Sequence, residues 1–174
     1  MISIVVAADK NRAIGIENKI PWHIKSDLIR LGNLTRGHTV ILGRKSYDSM
    51  VWYYTKFNKK MPGACYIVVT RNQHYTPALP NTKVVHSLQS ALALAKSLGD
   101  EQILVIGGGS IFAAALPYTD RMYYTEVQTT LAGDIDAYFP SINPNEWRVV
   151  SREYVQKDER DDYDTEVTIF ERAK

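Results

Sequence analysis

The chain has 174 residues, 45% of them hydrophobic and 23% charged, which allows one globular domain spanning 1–174 with a sizeable core. Its 21 basic and 19 acidic side chains leave a net charge of +2, too balanced for a general nucleic-acid or membrane-surface protein. The single cysteine, Cys65, excludes an intrachain disulfide and fits a reducing, cytoplasmic setting.

The opening MISIVVAADK has no basic leader, and its apolar run is too short for a signal or a membrane span. It predicts a buried strand over 2–8. Residues 24–35 place Ile24, Leu28, Leu31 and Leu34 at helical spacing. Apolar runs at 39–43, 65–70 and 103–106, bounded by Gly, Asn or Arg, predict strands covered on both faces. Residues 51–63, VWYYTKFNKKMPG, fit neither the helical nor the strand period and are expected to form a long surface loop. A helix is expected over 87–99, with Ser87 as its cap and Gly99 at its end. A short helix over 110–116 comes after three glycines. This alternation defines an α/β class: a mainly parallel, twisted central sheet flanked by helices. The tail differs. RMYYTEV (121–127), WRVVSREYVQ (147–156) and DTEVTIFER (164–172) read as strands. The charged turn KDERDDYD joins the last two into an antiparallel C-terminal hairpin at the sheet edge.

His23, His38, His74 and His86 lack metal-ligand spacing and do not pair with Cys65 as a zinc site, so no metal is expected. In an open α/β sheet, ligands bind beyond the carboxyl ends of the strands. There the sequence places Arg44, Lys45 and Ser46 after one strand, Thr70 and Arg71 after another, and Gly107, Gly108, Gly109 and Ser110 after a third. Helix starts offer N–H groups to anions, and guanidinium groups bind phosphate in a fork. The set suits a phosphate-rich ligand, and two arginines favour NADP over NAD. The glycine run is not G-x-G-x-x-G, because position 112 is Phe; alone it serves equally as a tight turn.

Asp27 is the only acidic residue between Glu17 and Asp48. Helical spacing puts it with Ile24, Leu28, Leu31 and Leu34, away from Lys25 and Arg30. Two readings stand side by side: a charge in the first helical turn, favoured there by about 0.3–1 kcal/mol, or a carboxylate in a cleft with a raised pKa. Pro21-Trp22 supplies a stiff, bulky corner beside it.

Taken in order, these segments resemble dihydrofolate reductases of the bacterial chromosomal type. The match includes AIGIENKIPWHIKSDL, TVILGRKSYDSM, IVVTR, VIGGGSIF, YYTEV and GDIDAYFP, and runs nearly end to end. The resemblance implies NADPH-dependent reduction of 7,8-dihydrofolate to tetrahydrofolate, with antifolates as inhibitors; the balanced charge argues against nucleic-acid or membrane partners, and a sequence without a strongly apolar exposed helix or strand face makes a monomer the default expectation. It implies that Asp27 holds the 2-amino and N3 side of the pterin, that Trp22 orders a water nearby, and that Thr125 hydrogen-bonds Asp27. Val5, Leu28, Leu31, Met50 and Ile106 would wall the folate cleft, with Val6, Ile20 and Phe112 also on the substrate side. Ala7, Ile14 and Gly15 would line the nicotinamide. Gly107, Gly108, Gly109, Ser110, Ile111 and Phe112 would meet the pyrophosphate. Gly43, Arg44, Lys45, Ser46, Thr70 and Arg71 would hold the adenosine phosphates. Residues 14–23 would form a mobile loop over the nicotinamide.

The chain departs from the family pattern in four places. Ala64 stands where an Arg usually pairs with the substrate's glutamate tail, and the preceding segment is longer. Leu31 replaces a frequent aromatic, and Phe112 a frequent Tyr. Two readings of Lys59 and Lys60 stand side by side: one of them supplies the missing tail charge, or both only keep the surface soluble. The missing Arg leaves a same-fold reductase of a riboflavin-pathway pyrimidine or an unconjugated pterin as an alternative. A non-enzymatic nucleotide binder is the alternative of a different class.

Overall fold

The apolar runs form the middle of an eight-stranded sheet of order β5-β4-β3-β6-β1-β7-β10-β9, seen in a computed structural model that describes residues 1–17 and 19–173. Residue 18 of the expected 14–23 loop and residue 174 of the expected domain lie outside the described residues. The chain runs through β1 (Ile2–Asp9), β2 (Ala13–Ile16), α1 (Lys25–Thr35), β3 (Thr39–Gly43), α2 (Arg44–Lys56), β4 (Cys65–Val69), β5 (Thr82–Val85) and α3 (Leu88–Ser97). It continues through β6 (Ile103–Val105), α4 (Gly109–Ala115), β7 (Arg121–Val127), β8 (Ile135–Tyr138), β9 (Trp147–Val155) and β10 (Thr165–Arg172). Strands β1, β3, β4, β5, β6 and β7 pair in parallel. The β9–β10 hairpin joins antiparallel to β7 and ends the sheet at β9, as its strand-like tail sequence leads one to expect.

The parallel strands are apolar on both faces because two cores need them. Along β3 and β4, Val40, Leu42, Tyr66 and Val68 pack with Tyr47 of α2, whereas Ile41 and Ile67 enter the larger core beneath α3 and α4. In β1, Ile4, Val6 and Ala8 belong to the larger core, while Val5 and Ala7 on the other face are only half-buried. That less covered face is the one the site uses. β1 leads through α1 to β3 on one side, and β6 leads through α4 to β7 on the other. The chain thus diverges around β6 and β1 and opens a crevice at their carboxyl ends.

The expected loop over 51–63 is corrected: α2 continues to Lys56, and only the remainder is irregular. Tyr47, Met50, Val51 and Tyr54 recur at i, i+3, i+4 and i+7, so one helical stripe crosses residue 51. Met50 and Val51 pack on the core while Trp52, Thr55 and Lys56 are exposed. The helix closes on Phe57 and Asn58, whose φ is +50°, with the Lys59 N–H donating to Tyr54 O at 2.8 Å. The chain then returns through Met61, which joins the core, and buried Gly63, which donates to Tyr66 Oη at 2.7 Å.

Candidate active site

Asp27 sits in the first turn of α1, yet it does not cap that helix. Asp161, from the turn between β9 and β10, takes the capping bond: its Oδ1 accepts from the Ser26 N–H at 3.0 Å. Asp162 holds the approach to the helix, accepting from the His23 N–H at 2.7 Å and donating its own N–H to His23 O at 2.9 Å. The charged KDERDDYD turn therefore anchors the helix that carries Asp27.

Freed from capping, Asp27 faces the sheet. The β1–β7 register pairs Ala7 with Thr125, which places Thr125 on the less covered face with Val5 and Ala7. Thr125 Oγ1 donates to Asp27 Oδ1 at 2.7 Å. Arg30 Nη1 donates to the same oxygen at 3.1 Å. This corrects the helical-face assignment that sets Arg30 apart from Asp27: residues three apart are neighbours on a helix, and a long guanidinium stem spans the gap. Burial pushes the Asp27 carboxyl above its ordinary value, with a further push from Asp161; the bonds and charge of Thr125 and Arg30 oppose this without cancelling it.

Around Asp27, the leucines of α1 stay half-buried. Leu28 and Leu31, with Val5 of β1, Ile106 just past the paired strand β6 and Met50 of α2, are partly buried apolar side chains. Trp22 is half-buried in the segment entering α1. The three other expected substrate-side residues differ in burial. Val6 points to the opposite face of β1 and is 5% exposed, in the core. Phe112 is likewise in the core, edge-on to Phe139 at 5.2 Å. Ile20 is 68% exposed.

A second set of residues gathers at the strand ends. Gly43 at the end of β3 donates its N–H to Gly107 O at 2.7 Å, bringing two glycine segments backbone to backbone. Gly107 has φ +131°, a region open to glycine but costly for other residues. A Cβ there would lie 3.4 Å from Ser46 Oγ and 3.5 Å from the Phe112 ring. A Cβ on Gly109 would meet Ile14 Cδ1 at 3.7 Å and Tyr138 O at 3.4 Å. Ile14 and Gly15 belong to β2, which pairs with β8, so part of the expected closing loop is strand. Ile111 is buried beneath the glycine turn, and Ser110 is exposed on it.

These residues fit a dinucleotide. Neither α2 nor α4 has a side-chain cap bond at its start, and α2 opens with Arg44, Lys45 and Ser46, so its N-terminal end is a place where anions are favoured. Thr70 and exposed Arg71 come after β4 at the neighbouring strand end. A residue missed in the sequence joins them: His86 Nδ1 lies 2.7 Å from Thr70 O. A carbonyl only accepts, so Nδ1 carries the proton. The residues beyond β4 and β5 thus come together although 16 positions separate His86 from Thr70.

The parallel sheet, the apolar crevice with one carboxylate and the basic strand ends define an α/β protein built to hold a dinucleotide beside a small apolar-walled substrate. A family model described as dihydrofolate reductase matches residues 1–172. The chain is 35% identical over 173 residues to the dihydrofolate reductase of Staphylococcus haemolyticus, covering 99% of this chain and 96% of the relative. It is also 35% identical to that of Bacillus subtilis, over 99% of this chain and 95% of the relative. The Enterococcus faecalis dihydrofolate reductase, solved in complex with NADP(H) and RAB-propyl, superposes with a TM-score of 0.82 at 28% identity, covering 100% of this chain and 97% of that one. The chain belongs to the dihydrofolate reductase family.

Proposed function

We propose that Asp27 is the carboxylate that orients dihydrofolate and favours its protonation, with Thr125 and Trp22 supporting it. The activity is NADPH-dependent reduction of 7,8-dihydrofolate to tetrahydrofolate. The observation that carries the assignment of Asp27 is its placement: a desolvated carboxylate held on one oxygen by Thr125 and Arg30, on the sheet face shared by Val5 and Ala7.

NADPH, when bound, supplies the hydride that adds to pterin C6. Everything else falls to the chain. Arg44, Lys45, Ser46, Thr70 and Arg71 would hold phosphates, and the Gly107–Gly109 turn would let the pyrophosphate approach the backbone. Ala7, Ile14 and Gly15 would position the nicotinamide against the substrate. Asp27 accepts N–H bonds from the pterin edge, and its negative charge favours the proton that N5 gains. Val5, Leu28, Leu31, Met50 and Ile106 exclude water and strengthen that electrostatic effect. For the tail, the exposed Lys59 and Lys60 come five and four residues before Ala64 in the chain and are the candidate substitutes for the charge absent there. Replacing both by Ala raises the KM for dihydrofolate if they bind the tail, and an unchanged KM rejects that role.

On this reading the protein acts alone, as a cytoplasmic monomer without nucleic-acid or membrane partners. Among the described residues, no helix is long and apolar enough to cross a membrane. The test of the proposal is the Asp27→Asn variant. It should fold and bind NADPH but lose most turnover near neutral pH; full activity would reject the assignment.

A further inference from the structure

We propose that Arg30 is a positioning residue for Asp27: its guanidinium ties down Oδ1, leaves Oδ2 for the substrate, and sets the pH above which turnover falls. The proposal rests on Asp27 being the cleft carboxylate. Both hydrogen bonds that Asp27 accepts among the described residues fall on Oδ1, from Thr125 Oγ1 at 2.7 Å and Arg30 Nη1 at 3.1 Å. A carboxylate offers about four acceptor sites, so Oδ2 keeps its capacity for adjacent N–H donors on a flat ring. The two donors approach from different elements, Thr125 from β7 and Arg30 from α1 itself, and together they fix the rotation of the carboxylate plane.

The pair is enclosed enough for charge to matter. The Arg30 and Asp27 side chains are 24% and 22% exposed, unlike the pair Arg160–Asp158, whose side chains are 56% and 45% exposed. Surface pairs of that kind contribute little. The groups bearing on Asp27 come from three elements. Arg30 lies on its own helix, Thr125 on β7, and Asp161 in the β9–β10 turn, where its negative charge works against ionisation of Asp27. Arg30 is the one cation in that set.

The direction of the effect is set by the reaction's own balance. Reduction adds a hydride to C6 and a proton to N5, so the bound complex gains one positive charge from solvent. A fixed cation at 3.1 Å from Asp27 opposes that gain whether the proton resides transiently on the carboxylate or on the ring. Removing the cation therefore raises the proton affinity of the pair as a whole, and the descending limb of the pH–rate profile moves to higher pH. An opposite charge at this range shifts a carboxylate by roughly one unit or more.

The experiment compares the pH dependence of kcat and kcat/KM for the wild type, Arg30→Met and Arg30→Lys. A 13C carboxyl titration of Asp27 accompanies it, in protein free of NADPH and folate. The Arg30→Met limb and the Asp27 titration should both move up by about one pH unit. Arg30→Lys, which keeps the charge, should stay nearer the wild type. A merely structural role for Arg30 would lower activity by the same factor at every pH and leave both midpoints in place, and that result overturns the proposal. Failure of the underlying reading is distinct: the wild type would show no dihydrofolate-dependent NADPH oxidation, or Asp27→Asn would be as active as the wild type.

Discussion

Asp27 destabilises the fold that holds it. Its folded pKa lies above its ordinary value, chiefly through burial. Such a group contributes fully to stability below its unfolded pKa near 3.8, and that contribution is lost as pH rises through the folded pKa. At neutral pH the native state therefore holds an unfavourable charge, a common signature of a site kept for chemistry rather than stability. Asp27→Asn should raise the melting temperature at pH 7, with the gain shrinking toward pH 4, as thermal unfolding followed across that range would show. Gly107 makes the opposite case. At φ +131°, with Ser46 and Phe112 about 3.5 Å from where a Cβ would sit, Gly107→Ala should cost about 1–3 kcal/mol and weaken NADPH binding. Denaturant unfolding and fluorescence titration measure the two effects. The carboxylate is legible in the sequence as a lone acid on an apolar helix face. Its partners are less so: dividing the helix into an apolar side and a Lys25/Arg30 side hides that Arg30 is the i+3 neighbour of Asp27, and Asp161 lies far downstream of Asp27 with no local pattern linking the two.

At the scale of elements, α1 is built by a remote part of the chain. Its first turn is capped by Asp161, and its far end leads into His38 and β3, where Asp100 gathers three partners. Asp100 accepts from Thr39 N–H at 2.6 Å, Gln102 N–H at 2.9 Å and the His38 ring at 3.1 Å. Burial alone would raise this carboxyl, but the two backbone N–H groups and His38 outweigh it and hold it below the ordinary range. With a depressed folded pKa, its contribution is present above the unfolded value near 3.8 and is lost as pH falls through the folded one. Asp100→Asn should cost about 1–3 kcal/mol at pH 7 by leaving backbone donors poorly paired, and the deficit should disappear in strongly acidic unfolding curves. The parallel strands are readable because burial on both faces leaves an uninterrupted apolar run. Helix α2 is only half readable: cutting the pattern at residue 51 separates Tyr47 and Met50 from Val51 and Tyr54. Strands β2, β5 and β8 have four residues each, too short to carry a period of their own.

For the whole molecule, the sheet is the device that joins two half-sites. Its parallel centre places the ends of β3, β4 and β6 on one edge, where Arg44, Arg71 and the glycines gather, while the face of β1 and β7 carries Ala7 and Thr125 toward α1. A dinucleotide lying across those ends should bind the native state alone. At a free concentration about 100 times its Kd, NADPH should stabilise the fold by about 2.7 kcal/mol, which for a chain of this size is a rise of about 5–11 °C in melting temperature. Replacing Arg44 and Arg71 with Ala should remove most of the preference for NADPH over NADH, a comparison made by titrating both nucleotides. This convergence is foreseeable from the residues just beyond each strand. The arrival of His86 beside Thr70 is not, because it depends on the pairing of β4 with the short strand β5.

The rate of NADPH oxidation with and without dihydrofolate, for the wild type and Asp27→Asn across pH, bears most directly on the role of the cleft carboxylate. The wild type should show dihydrofolate-dependent oxidation that declines as pH rises, and Asp27→Asn should bind NADPH but have lost most turnover at neutral pH. Oxidation that does not depend on dihydrofolate, or an Asp27→Asn variant with the wild-type rate and pH profile, would contradict that role.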